Sequence, residues 1–321
     1  MVSCQNEPAT VPAMSKNRTE PIVRIRGFRM DFDGHTVLRD LSFDVERGET
    51  FGFLGANGSG KTTTIRALLG LYRPTAGELL VDGRRFEPEL GSNLGYLPEE
   101  RGLYKKESVI NVMTYFGRLK GLDKHAASSW SMEYLERVDL ADKAKVRVDR
   151  LSGGEQQKVQ LGVTIMGEPE LLILDEPTKG FDPVNRRLLL SIIEERRQAG
   201  ATVLMVTHQM DEVERLCDRV LLLKNGVAEA SGTISEVQAQ YGGTTAKVAF
   251  TGDIPVSPRY RVMRRENNYA ELDLDEGVDE ADVLRDLVHA GVSVRSFVTG
   301  RPSMDDIFVR VYGGHDEPEE V

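Results

Sequence analysis

The chain has 321 residues, 40% of them hydrophobic, with 41 Lys+Arg against 51 Asp+Glu and a net charge of −10, which is material for roughly two domains with ample apolar core. The acidic excess, steepest over residues 241–321 with 16 acidic and 9 basic side chains, argues against general nucleic-acid affinity, which rests on neutralising phosphates. No run of about 18 apolar residues occurs, so no segment is expected to span a bilayer as a helix.

Residues 1–20 are polar, contain proline, lack the apolar centre of a signal peptide and read as a disordered tail, with Met14 an alternative start. Cys4 and Cys217 have no metal-ligand neighbour at short spacing, the pattern of a cytosolic, disulfide-free chain. From Ile22 to Phe32 apolar and polar residues alternate, which predicts an edge strand leading into the turn Asp33-Gly34. Phe32 either stacks on a base near a nucleotide loop or sits in the core. Leu41–Val45 predicts a second strand.

The next stretch organises the rest. Glu49–Leu54 reads as a short buried strand, and Gly55-Ala56-Asn57-Gly58-Ser59-Gly60-Lys61-Thr62 fits G-x-x-x-x-G-K-[ST]. Thr62–Leu69 continues with apolar residues at helical spacing. Glycines at 55, 58 and 60 let successive N–H groups turn inward around phosphate oxygens. The helix start adds its positive end. Lys61 is then placed to reach the β- and γ-phosphates, and the Thr62 hydroxyl to ligate Mg²⁺.

Beyond it, Arg73–Gly77 predicts a turn, Glu78–Val81 a strand, Asp82-Gly83 a hairpin turn and Leu94–Leu97 a strand opening into the polar loop Pro98-Glu99-Glu100. Ser108–Lys120 and Ala126–Val138 predict two helices, a helical insertion whose exposed apolar residues are packing or partner surface. Ser152 followed by Glu155 is a capping box, so a helix is expected from there to about Met166, with Gly153 and Gly154 leaving its end open to an anion. Leu171–Leu174 is a buried strand emptying into Asp175-Glu176, placing Asp175 to hold Mg²⁺ and Glu176 to act as general base on water. Asp182-Pro183 starts a helix to about Gln198. Ala201–Val206 is another buried strand, and His208 directly after it is the candidate γ-phosphate sensor; histidines 35, 125, 289 and 315 are expected to have no special role. Towards the C-terminus strands are expected at Lys247–Phe250, Tyr260–Met263 and Ala270–Leu274, and helices around Val283–Val288 and Met304–Val311.

With these motifs in order, residues from about 20 to 240 resemble the nucleotide-binding domain of ATP-binding cassette (ABC) transporters, Leu151-Ser152-Gly153-Gly154-Glu155 being the most specific element. The resemblance implies that Gly55, Asn57, Gly58, Ser59, Gly60, Lys61, Thr62 and Thr63 belong to the Walker A loop, Leu171–Glu176 to Walker B and Leu151–Gln156 to the signature. It implies further that Phe32 stacks on adenine, that Gly180–Pro183 is the D-loop and that His208 is the switch histidine. Two such domains would pair head to tail, holding ATP between Walker A of one and Ser152, Gly153 and Gly154 of the other, and would drive a separate membrane permease from its inner face. The implied fold is α/β: a P-loop NTPase cassette over 21–241 with a mixed sheet core, an antiparallel edge subdomain and a helical subdomain (about 100–168). A small α+β domain (242–313) and an acidic tail (314–321) would follow.

The sequence departs from the family pattern at Phe32, where Tyr is usual, at Lys179-Gly180-Phe181-Asp182, where Ser-Gly-Leu-Asp is common, and at Glu99, where a glutamine normally senses Mg²⁺. A carboxylate still ligates Mg²⁺ but adds negative charge beside ATP. The phrase Tyr96–Tyr104 resembles an exporter branch containing sodium-extrusion ATPase subunits, whose members also carry a small C-terminal domain. Of the other readings, a soluble ABC ATPase on ribosomes or DNA conflicts with the acidic charge, the single Walker A and the absence of a heptad run between Lys61 and Ser152. A small-molecule kinase leaves Leu151–Gln156 unexplained.

Overall fold

The computed structural model describes residues 20–313 apart from 101 and 276. The expected tails, with Cys4, Met14 and His315, lie outside the described residues. The chain divides into two compact units between Ser231 and Gly232.

In the first unit, β1 (Val23–Phe32) and β2 (His35–Val45) form an antiparallel pair closed by Asp33 and Gly34, both with positive φ. After β3 (Thr50–Leu54) and α1 (Lys61–Leu68), β4 (Ala76–Val81) returns to the other side of β1, giving the order β2-β1-β4. The expectation of an edge strand at β1 is therefore corrected. Alternation reports one buried face, and an antiparallel strand with solvent on its other face shows it at the centre of a sheet as readily as at the rim.

The main sheet is built from β5 (Leu94–Leu97), β6 (Leu171–Asp175), β7 (Thr202–Val206), β3, β8 (Arg219–Lys224) and β9 (Val227–Thr233), in that spatial order. The pairs β5·β6, β6·β7, β7·β3 and β3·β8 are parallel. Strands β3, β6 and β7 are buried at every position, in keeping with their near-continuous apolar runs, with Thr50, Asp175 and Thr202 buried at their ends. Because they run the same way, the loops leaving β5, β6, β7 and β3 emerge at one edge, where ligands bind in open α/β sheets.

Between β5 and β6 lie α2 (Val109–Leu119), α3 (Lys124–Arg137) and α4 (Gly153–Ile165), capped by Ser108, Asp123 and Ser152. They pack closely: Tyr134 Oη donates to Lys158 O at 2.7 Å. Lys120 Nζ reaches the last carbonyls of α4, Thr164 O and Met166 O, at 2.7 and 2.9 Å. Between β6 and β8, α5 (Pro183–Gln198) and α6 (Met210–Leu216) flank β7.

The second unit opens with α7 (Ile234–Gln240), whereas the sequence places the division at 241/242. The helix keeps company with its own unit, where Arg310 Nη1 donates to Tyr241 O at 3.2 Å. Strands β10 (Thr244–Thr251), β11 (Tyr260–Glu266) and β12 (Tyr269–Leu274), then α8 (Glu280–His289), β13 (Ser293–Gly300) and α9 (Met304–Tyr312), complete an antiparallel sheet ordered β11-β12-β10-β13 with helices. Its core gathers Val248, Phe250, Leu272, Val283 and Leu287. Strand β13 has no counterpart in the sequence expectations, because its burial is irregular along both faces.

Candidate functional site

The loop after β3 turns tightly, Ser59 N–H donating to Ala56 O at 3.2 Å. Gly60, at φ 109°, is the N-cap of α1 and provides no side-chain cap. A Cβ there would meet Leu38 at 2.9 Å, and one on Gly55 would meet Ser59 Oγ at 2.5 Å and Leu223 O at 2.6 Å. The cradle therefore tolerates no side chain at either position. Among the described α-helices, α1 alone has neither a side-chain cap nor an acidic residue in its first turn. Among the described residues no side chain caps its first-turn donors, and no acidic residue of its own first turn offsets the positive helix end. Asn57 and Gly58 face solvent, while Thr62 and Thr63 are half-buried.

Lys61 lies back over this loop, Nζ donating to Gly55 O at 2.8 Å and Ala56 O at 2.9 Å. Burial lowers its pKa, opposed by the charges of Glu176, Asp175 and Glu99. The parallel sheet has thus gathered residues 61, 99, 175 and 176 into one electrostatic cluster. Asp175, at the end of β6, is 2% exposed. Burial pushes its pKa up to about 6, with Glu99 and Glu176 adding like charge. Among the described residues its Oδ2 has no hydrogen-bond partner, and neither does the buried Ser59 Oγ. Buried polar atoms left unpaired are costly, so both fit a site completed by a ligand.

Glu176 adopts a left-handed backbone, φ 51°, which costs a non-glycine residue roughly 1–3 kcal/mol. Its N–H donates to Val206 O at 2.8 Å, fixing the turn against β7. The carboxylate consequently meets His208, Oε1 lying 2.7 Å from Nδ1. One residue pair further out, Glu212 is fully buried and accepts from Thr178 Oγ1 and Arg186 Nε, both at 2.6 Å. This network, which sequence reasoning missed, braces the loop after Glu176 against the helix after His208.

Ser152 caps α4 in a complete box with Glu155, whose carboxylate also pairs with Lys143. Ser152 is exposed, and among the described residues no hydrogen bond joins residues 152–154 to the loop 55–63. Gly154 lies near the Phe181 ring, whose nearest carbon is 3.6 Å from where its Cβ would be. Phe32 is 38% exposed and rests edge-on against Tyr72, centroids 5.5 Å apart, which removes the core reading for its ring. Glu99 is paired with Lys179 at 2.5 Å. The sequence marked both residues as departures without linking them.

Among the described residues no three His, Cys, Asp or Glu side chains are grouped to hold a metal by themselves. The oxygens available are the Thr62 hydroxyl and the Asp175 and Glu99 carboxylates, a donor set that suits Mg²⁺ shared with phosphate oxygens.

The ABC transporter family model matches residues 38–179, and a model described as the C-terminal domain of ATP-binding protein DrrA1-3-like matches residues 232–312. An ABC transporter ATP-binding protein of Methanocaldococcus jannaschii is 41% identical over 68% of this chain and 80% of its own length. A Nod factor export ATP-binding protein of Ralstonia nicotianae is 34% identical over 73% of this chain and 74% of its own. A solved ATP-binding subunit of an ABC transporter superposes with a TM-score of 0.65 at 29% identity, covering 69% of this chain and 93% of that one.

Proposed function

We propose, from the premise that the chain belongs to the ABC transporter ATP-binding proteins, that it binds Mg-ATP at residues 55–63 and hydrolyses it in a head-to-tail pair of identical chains to drive a separate membrane permease outward. An ABC-type ATPase activity comes with the family. The observation that carries the site is the uncapped, acid-free start of α1 beside two unpaired buried oxygens, Ser59 Oγ and Asp175 Oδ2.

In this reading Lys61 gives up its two loop carbonyls for the β- and γ-phosphates, and the N–H groups opening α1 bind phosphate oxygens. Thr62, Asp175 and Glu99 are the candidate Mg²⁺ ligands, the ion supplying charge neutralisation at the phosphates. Glu176 accepts the proton of the attacking water, and His208 keeps its carboxylate in position. Phe32 supplies the ring face for adenine. Ser152, Gly153 and Gly154 close over nucleotide bound to the partner chain, so that nucleotide glues the pair together.

Export is supported by the name of the Nod factor relative. A permease is supported by the family and by the lack of any described helix long and apolar enough to cross a membrane. The chain would then sit on the inner membrane face. The exposed rings of Tyr104 and Tyr115, which with Glu107, Asn111 and Val112 line a cavity of about 430 Å³, are our choice for the permease contact. The relatives described above give the ribosome and DNA readings no support.

The test is light scattering on purified Glu176→Gln protein. A monomer that becomes a dimer with Mg-ATP, and fails to do so after adding Ser152→Arg, is the expected result. A dimer unaffected by Ser152→Arg would remove the sandwich.

A further inference from the structure

The parallel register of β5 and β6, in which Leu97 partners Leu174, sets two loops side by side. Glu99 follows one and Lys179 the other, and Lys179 Nζ donates to Glu99 Oε1 at 2.5 Å across 80 residues of sequence. Both side chains are substantially exposed, 57% for Lys179 and 42% for Glu99. The cluster they border holds three carboxylates that act on Lys61. Lys179 is in turn influenced by all three, Glu99 most directly and then Glu176 and Asp175.

Taken singly, each residue is out of place. A third carboxylate near a pocket for a nucleotide polyphosphate repels it, and a lysine in an exposed turn has no evident duty. Taken together, their charges cancel. We propose that Lys179 is a positioning residue of the nucleotide site: it neutralises Glu99 and draws its carboxylate aside, so that this charge neither repels the nucleotide nor binds the divalent cation at full strength. The proposal rests on residues 55–63 being the ATP site.

The consequence is a pair of opposite shifts. Removing Lys179 while leaving Glu99 exposes the nucleotide to an uncompensated charge, and the same free carboxylate becomes a stronger ligand for a hard cation. A pair that served only to fix the turn 179–182 would alter stability and leave these two quantities alone.

The experiment is calorimetric ATP binding in EDTA, followed by Mn²⁺ titration of the ATP complex, for wild type, K179M, E99Q and E99Q/K179M. For K179M we expect ATP affinity without metal to fall about tenfold, the scale of one unscreened surface charge. The Mn²⁺ concentration at half-saturation should fall as well. Both shifts should shrink in 1 M salt, and the Mn²⁺ shift, which needs the Glu99 carboxylate as a ligand, should be several-fold smaller in the E99Q background. Absence of either shift in K179M, or a Mn²⁺ shift undiminished alongside E99Q, overturns the proposal. Failure of the wild type to bind ATP would instead sink the site reading on which it stands.

Discussion

His208 Nδ1 and Glu176 Oε1 lie 2.7 Å apart, one residue past the loop start of β7 and the other at the loop start of β6. The contact exists because Glu176 takes a left-handed backbone and donates its N–H to Val206 O. A base aimed by a neighbour loses effect when either member goes. We expect Glu176→Gln and His208→Ala each to cut phosphate release by roughly a hundredfold or more, with ATP affinity changed less than threefold. A His208→Ala enzyme retaining a third of wild-type turnover would show that the contact has no catalytic consequence.

Much of this site was legible before the fold. The strand, glycine loop and helix at 49–69 follow one another, and Ser152 and Glu155 form both bonds of the capping box their spacing predicts. Local chemistry suffices for such elements. What sequence could not supply was adjacency. Strand β8 went unnoticed although it pairs directly with β3, because a four-residue apolar run, Val220–Leu223, names no neighbour. Glu99 and Lys179 meet only through the β5·β6 register, and Glu212 becomes a buried brace only once α6 packs against Arg186.

Gly154 separates the folding role of the signature from its proposed role across a dimer. Its nearest non-local neighbour, the Phe181 ring, would lie 3.6 Å from an added Cβ, ordinary contact distance, and its φ is not left-handed. Gly154→Asp should therefore melt within a few degrees of wild type and bind one ATP as a monomer. Its ATP-dependent dimerisation and hydrolysis should fall at least tenfold, since an acidic side chain would face phosphate. Light scattering and phosphate release check this, and a normally dimerising variant would place the signature outside the interface.

Glu212 is fully buried with Thr178 Oγ1 and Arg186 Nε on the same oxygen, while Arg186 also grips Asp211 at 2.7 and 2.8 Å. Removing Arg186 strands the buried Glu212 carboxylate, whereas removing Glu212 leaves Arg186 held by Asp211. Arg186→Met should cost about 3 kcal/mol, seen as a clear drop in melting temperature. Glu212→Leu combined with Arg186→Met should cost less than the sum of the two singles, because no charge is left alone. Additive losses would mean that the two side chains stabilise the fold independently.

Lys120 offers a test by pH. Its ammonium caps α4 through Thr164 O and Met166 O, yet burial lowers its pKa to about 8 from the lysine value of 10.5. Between these values the unfolded chain holds more protons than the folded one, so stability from this site rises with pH. Below pH 8 the folded chain bears the full cost of the buried charge, and that cost is relieved as pH climbs towards 10.5. Compared with Lys120→Met, which cannot titrate, the wild type should gain about 2 kcal/mol of relative stability between pH 7 and pH 10. Denaturant melts of both proteins at the two pH values measure it. A stability difference that stays level would show that Lys120 keeps an ordinary lysine pKa, its charge met fully by the two carbonyls.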